Sequence, residues 1–204
     1  MDDHRKLLIF VKNPILYRVK TRLAQDVGAA NALRIYRHLL AHTYSITASL
    51  AVSKTVYYSD FIPASDMWDN MSYTKSLQKG ADLGARMYNA FYEGFYAGFT
   101  EIVIIGSDNP QLTTSMIEEA FFRLKIHDFV IGPAVDGGYY LLGMKTLDQS
   151  IFEDKQWSTS TVLRDTLASI QKLGMNYYLL PELRDVDTVA DLGAMWGLIE
   201  NVSE

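Results

Sequence analysis

An aspartate that follows a buried apolar run and precedes a proline turn is well placed to hold a divalent cation. Gly106-Ser107-Asp108-Asn109-Pro110 is such a place. Mg²⁺ and Mn²⁺ take hard oxygen donors and offset phosphate charge during group transfer, although an Asp here also suits plain capping or turn formation. A metal site needs a second carboxylate, and Arg184-Asp185-Val186-Asp187-Thr188 offers two. Asp187 is the preferred ligand of the pair, with capping of a last helix as its ordinary alternative. Lys12, Arg18, Lys20 and Arg22, with Thr21 among them, follow the first apolar run. Converging cations suit a triphosphate or a sugar diphosphate, because Arg grips two phosphate oxygens at once and Lys acts as a point charge. A solvated basic loop is the plainer reading of the same residues.

Three further stretches carry weaker signals. In Gln78-Lys79-Gly80-Ala81-Asp82-Leu83-Gly84, Gly80 and Gly84 would let a base or ribose approach the backbone, and Gln78 could read a base edge. The same stretch fits a turn with Asp82 as N-cap. Asp136-Gly137-Gly138 is a tight-turn signal that also presents a carboxylate and bare amides to an acceptor substrate. Trp157-Ser158-Thr159 opens a helix, where capping competes with substrate contact. His38 and His42 stand four apart, but Leu39 occupies the place where the zinc-protease pattern needs Glu, so they read as ordinary helical histidines.

The elements that must position these residues follow from the apolar pattern. Continuous apolar runs at 7–11 and 101–105 read as strands buried on both faces. Further strands are expected at 55–58, 73–77 (at an edge), 129–131, 139–144 and 177–180, with an antiparallel element around Asp136-Gly137-Gly138. Helices are expected at 29–53, 82–99, after Thr113 or Thr114, at 159–173 and at 188–199. Alternating strands and helices imply an α/β three-layer sandwich with a mixed, mainly parallel sheet. Ligands on such sheets bind beyond the carboxyl ends of the strands, which is where the polar motifs fall. No Gly/Ser- or Pro-rich linker divides the chain, so one domain over 1–204 is expected.

Composition removes several function classes. With no cysteine, thiolate metal sites, disulfides and cysteine nucleophiles are excluded. A net charge of −5 disfavours a nucleic-acid partner. No apolar run reaches membrane-spanning length, and the opening run at 7–11 is too short for a signal segment, so a cytoplasmic location is expected. No P-loop, dinucleotide fingerprint or nucleophile elbow is present.

In order, Lys-x-Pro with Lys20-Thr21-Arg22-Leu23, Gln78-x-Gly80-Ala81-Asp82-Leu83-Gly84, Gly106-Ser107-Asp108-x-Pro110, Asp136-Gly137-Gly138-Tyr139-Tyr140-Leu141-Leu142-Gly143, Trp157-Ser158-Thr159 and Asp185-Val186-Asp187-Thr188 resemble the DUF2064 glycosyltransferase-like family, also described as the radical-SAM/selenodomain-associated transferase 1 group. The resemblance runs from about Leu7 to Leu192 and extends to the wider GT-A/nucleotidyltransferase superfamily. It implies phosphate binding at Lys20, Thr21 and Arg22, and metal binding at Asp108 and Asp187. Two positions depart from the pattern: Tyr17 stands where the loop usually has Gly, and Asn109 where Cys is frequent. Tyr17 is expected to narrow backbone approach to a phosphate and to offer a ring for stacking on a base.

The expected activity is transfer from an NTP or an NDP-sugar to a small acceptor, helped by Mg²⁺ or Mn²⁺. Lys20 and Arg22 would offset phosphate charge, and Asp136 would orient or deprotonate the acceptor hydroxyl. A catalytically silent nucleotide- or partner-binding module on the same fold is the alternative. A phosphatase using Asp108 is disfavoured because Ser107-Asp108-Asn109-Pro110 lacks a second Asp. The sequence does not fix an oligomeric state.

Overall fold

The structure, a computed structural model, describes residues 4–200. Residues 1–3 and 201–204 of the expected 1–204 domain lie outside the described residues. The elements run β1 (Arg5–Val11), α1 (Thr21–Val27), α2 (Ala29–Ala48), β2 (Ser53–Tyr58), β3 (Thr74–Leu77), α3 (Leu83–Tyr96), β4 (Glu101–Ile105), α4 (Thr114–Leu124), β5 (Phe129–Pro133), β6 (Tyr139–Met144), α5 (Val162–Lys172), β7 (Tyr177–Leu179) and α6 (Gly197–Glu200).

The strands form one seven-stranded sheet in the order β3-β2-β1-β4-β6-β5-β7. Every pairing is parallel except those of β6, which runs antiparallel to both β4 and β5. The mixed, mainly parallel α/β sandwich expected from the sequence is therefore present, with β3 at an edge and the antiparallel pair where Asp136-Gly137-Gly138 turns.

Strand side chains alternate between two faces, and both faces are covered. Leu7, Ile9, Val11, Val103 and Ile105 pack with Leu23 of α1, Ile35 and Leu39 of α2, and Ile117 and Phe121 of α4. Leu8, Ile102 and Ile104 pack on the other side with Met87 and Phe91 of α3 and Ile170 of α5. Burial on both sides is why β1 and β4 read as unbroken apolar runs.

Local chemistry sets the element ends. The Asp82 carboxylate accepts the Ala85 amide at 2.8 Å and starts α3, while Thr113 accepts from Met116 at 3.3 Å and starts α4. Three expectations are corrected. The helix expected at 29–53 ends at Ala48, because the buried Lys54 ammonium reaches back to the carbonyls of Thr47, Ala48 and Leu50 at 3.2, 3.2 and 3.0 Å. The helix expected at 188–199 is broken into 3₁₀ turns at Val189–Asp191 and Gly193–Trp196 ahead of the short α6, with Gly193 at φ 48 interrupting it. The helix expected at 159–173 begins only at Val162, after a turn with Ser158 at φ 65. One short helix, α1, is present within what read as a basic loop.

Candidate active site

At the carboxyl edge of the sheet the chain leaves β1, β4 and β7 into loops that are tied to one another. Tyr36 of α2 accepts the Lys12 amide on its hydroxyl at 2.7 Å and lies 3.2 Å from the Ser107 hydroxyl, which joins the loop after β1 to the loop after β4. Burial, reinforced by the nearby Asp108 charge, pushes this phenol well above its ordinary value and keeps it neutral. The Val186 amide donates to the Asp108 carbonyl at 3.1 Å, and Asn109 Nδ2 donates to Asp185 Oδ1 at 2.9 Å. These two bonds bring the late acidic segment against the turn after β4.

The result is a cavity of about 580 Å³. Of the residues singled out from the sequence, Lys12, Arg18, Lys20, Thr21, Arg22, Gln78, Asp108, Asp136, Gly138, Trp157, Ser158, Thr159 and Asp187 line it. Lys20 is the hub. Its Nζ stands 2.9 Å from Asp108 Oδ1 and 3.2 Å from Asp187 Oδ1, with the lysine side chain only 5% exposed and the two carboxylates 40% and 47% exposed. Burial opposes the ammonium charge, but the two carboxylates outweigh it and hold Lys20 above its ordinary value. Arg18 is exposed and pairs with Asp60 at 3.1 Å. Lys12 and Arg22 are exposed at the same mouth.

Gly80, Gly84 and Gly137 do not line the cavity, and each makes room for protein instead. A β-carbon at Gly84 would come within 2.3 Å of Trp157 Nε1, so the missing side chain is the seat of the indole. At Gly80 it would meet the backbone of Ala85 at 2.7 Å, and at Gly137 (φ 86) the Ser160 carbonyl at 2.2 Å. Gln78 lines the cavity but its amide donors are spent: Nε2 donates to the carbonyls of Val11 and Tyr57 at 3.0 Å each, stapling β1 to β2. Only Oε1, 3.5 Å from Arg86 Nη1, is left to face a ligand. Asp136 Oδ1 accepts the Gly138 amide at 2.9 Å and braces its own turn. Tyr17 lies at φ 67 and is 76% exposed, outside the cavity lining. The left-handed backbone explains why glycine suits that position.

Sequence reasoning underrated Asp185 and passed over Arg86, Ser107 and Tyr36, all of which line the cavity. Burial first, and then the charge of Asp108, raise the Asp185 carboxyl to about 6, with Asn109 and Lys20 pulling the other way. The signal for Asp185 was present in Asn109, whose amide is a stronger donor to it than a thiol would be.

Among the described residues no group of three or more His, Asp or Glu side chains could cage an ion without other ligands. The donor set still fits a hard divalent cation, since Asp108 and Asp187 converge on one point and are half open to the cavity. Mg²⁺ in transferases is ordinarily held by one or two carboxylates, with water and substrate phosphate completing its shell. No described helix is long and apolar enough to cross a membrane.

No curated protein is matched by this sequence. Among solved structures, the chain is similar to a protein of Desulfovibrio desulfuricans G20 provisionally assigned as a nucleotide-diphospho-sugar transferase. Identity is 31% with a TM-score of 0.87, over 98% of this chain and 90% of that one. The fold is shared with the inositol-1-phosphate CTP transferase of T. maritima at 13% identity and TM-score 0.59, covering 98% and 96% of the two chains. It is shared also with Rv0371c of Mycobacterium tuberculosis H37Rv, solved with manganese, at 13% identity and TM-score 0.55, covering 98% and 100%. Residues 43–159 match the family described as uncharacterized protein conserved in bacteria (DUF2064), and the chain belongs to that family.

Proposed function

We propose that the protein is a transferase that moves a glycosyl or nucleotidyl group from an NDP-sugar or NTP to a small acceptor, with Asp108 and Asp187 holding Mg²⁺ or Mn²⁺. The observation that carries this reading is the meeting of Asp108 and Asp187, distant in the chain, on Lys20 inside a cavity whose mouth is lined by further cations. The similarity to the D. desulfuricans protein and the fold shared with a CTP transferase support the class of chemistry. The manganese in Rv0371c, a protein of the same fold, supports the choice of ion.

When bound, the cation supplies charge neutralisation to the diphosphate. The protein's own residues do the rest by position and field. Lys20 and Arg22 offset charge on the phosphates, Thr21, Lys12 and Arg18 complete their surroundings, and Asp136 orients the acceptor hydroxyl and takes its proton. Trp157, Ser158 and Thr159 form the acceptor wall. No covalent intermediate with the protein is required.

The test is nucleotide binding followed by melting temperature in Mn²⁺. Asp108→Ala should lose the Mn²⁺-dependent stabilisation by nucleotides while its far-UV spectrum stays native. Undiminished stabilisation in that variant would remove the assignment. One feature favours a binding module without turnover, namely that Lys20 already occupies the two carboxylates. Tight binding of NTPs and NDP-sugars with no product from any of them, in Mn²⁺, would select that reading.

A further inference from the structure

Lys20 is turned inward, unlike the other cations of its loop. Lys12, Arg18 and Arg22 are exposed. The Lys20 side chain is almost fully enclosed, with Nζ in contact with both Asp108 and Asp187. Its backbone lies at φ 47, ψ 46, a left-handed conformation that a residue with a β-carbon adopts against steric resistance. Lys20 also occupies the N-cap of α1, where an ammonium has no lone pair with which to accept the first helix amides, and its side chain goes to the two carboxylates instead.

We infer that Lys20 is a built-in counter-ion that makes divalent-cation binding conditional on a diphosphate. The inference rests on the reading of Asp108 and Asp187 as cation ligands given above. An incoming cation and the ammonium compete for the same two carboxylates and repel one another, so a free ion meets a site whose negative charge is already offset in part. A diphosphate changes the balance, because its oxygens accept the ammonium as it leaves the carboxylates. The ligand class the site admits is therefore the cation–diphosphate complex of a nucleotide rather than the free ion. Lys20 has two successive partners, the carboxylates in the empty site and the phosphates in the filled one.

The experiment uses the full chain and its Lys20→Gln variant, titrated with Mn²⁺ alone and then, in Mn²⁺, with each of the four common ribonucleoside diphosphates. Free Mn²⁺ is followed by electron paramagnetic resonance. Lys20→Gln should bind Mn²⁺ alone about tenfold or more tightly than the parent, and the diphosphates about tenfold or more weakly. These opposite changes are not what a merely structural lysine would give. Mn²⁺ binding alone that is no tighter in Lys20→Gln overturns the inference, and leaves the metal-site reading standing if the parent binds Mn²⁺ with a diphosphate. Absence of Mn²⁺ binding in both proteins, with and without every diphosphate, overturns that reading itself. Lys20→Arg keeps the charge and serves should Lys20→Gln not fold. It should bind Mn²⁺ alone no more tightly than the parent, and a tenfold gain would refute the counter-ion role.

Discussion

Asp185→Asn should make the protein more stable at neutral pH, and the gain should fade in acid. Asp185 carries its charge beside Asp108 and Asp136, with only Lys20 and the Asn109 amide in its favour, and its carboxyl sits at about 6 against an ordinary 3.8. The folded value lies above the unfolded one, so this carboxyl contributes stability that is fully present below about pH 4 and lost as the pH rises through about 6. A displacement of about two pKa units corresponds to about 3 kcal/mol at 1.36 kcal/mol per unit. Asparagine has the same shape, cannot ionise, and still offers Oδ1 to Asn109. Urea unfolding in the presence of a chelator at about pH 8 should therefore find the variant about 2–3 kcal/mol more stable, and at about pH 4.5 the difference should shrink by about 2 kcal/mol. An equal difference at both pH values, or a less stable variant at pH 8, would refute the electrostatic argument.

Other perturbations follow from single contacts. Gly84→Ala forces the Trp157 indole out of its seat and should cost about 1–3 kcal/mol; unchanged tryptophan emission together with an unchanged melting temperature would contradict this. Tyr17→Gly relieves a left-handed backbone and adds chain entropy in the unfolded state, two effects of about 1 kcal/mol each and opposite sign, so thermal unfolding should move by less than about 0.5 kcal/mol. Lys54→Met removes a donor shared by three carbonyls at and just beyond the end of α2 and should cost about 1–3 kcal/mol, with amide exchange rising around Leu50; unaltered exchange there would show that the cap carries no stability.

The parts of the fold legible in the sequence are those whose side chains are buried on two faces. β1 and β4 announce themselves by unbroken apolar runs, and the acidic and basic motifs lie just past strand ends, where this kind of sheet gathers ligands. What was hidden depends on contacts between distant residues. α1 buries only Leu23, so it shows no periodicity and passes for loop. Which of Asp185 and Asp187 lies against Lys20 depends on Val186 and Asn109, whose bonds between the late acidic segment and the turn after β4 turn Asp185 inward and leave Asp187 facing the ammonium. Gly84 suggested room for a ligand, but the room is taken by a ring more than seventy positions later in the chain. The helix expected at 188–199 was misjudged because Thr188 and Asp191 close a reciprocal cap within one 3₁₀ turn, and Gly193 then redirects the backbone.

β6 runs against its neighbours β4 and β5. In a wholly parallel sheet, each chain leaving this edge would travel through a crossover helix before returning. Here the exit from β5 doubles straight back through residues 134–138 into β6, and Leu163 fastens the turn to α5 by donating to the Gly137 carbonyl at 2.9 Å. One wall of the cavity is thus a short hairpin rather than a long lid. A longer or shorter reversal here would reshape the cavity while every strand, and the ionic centre beyond it, kept its place.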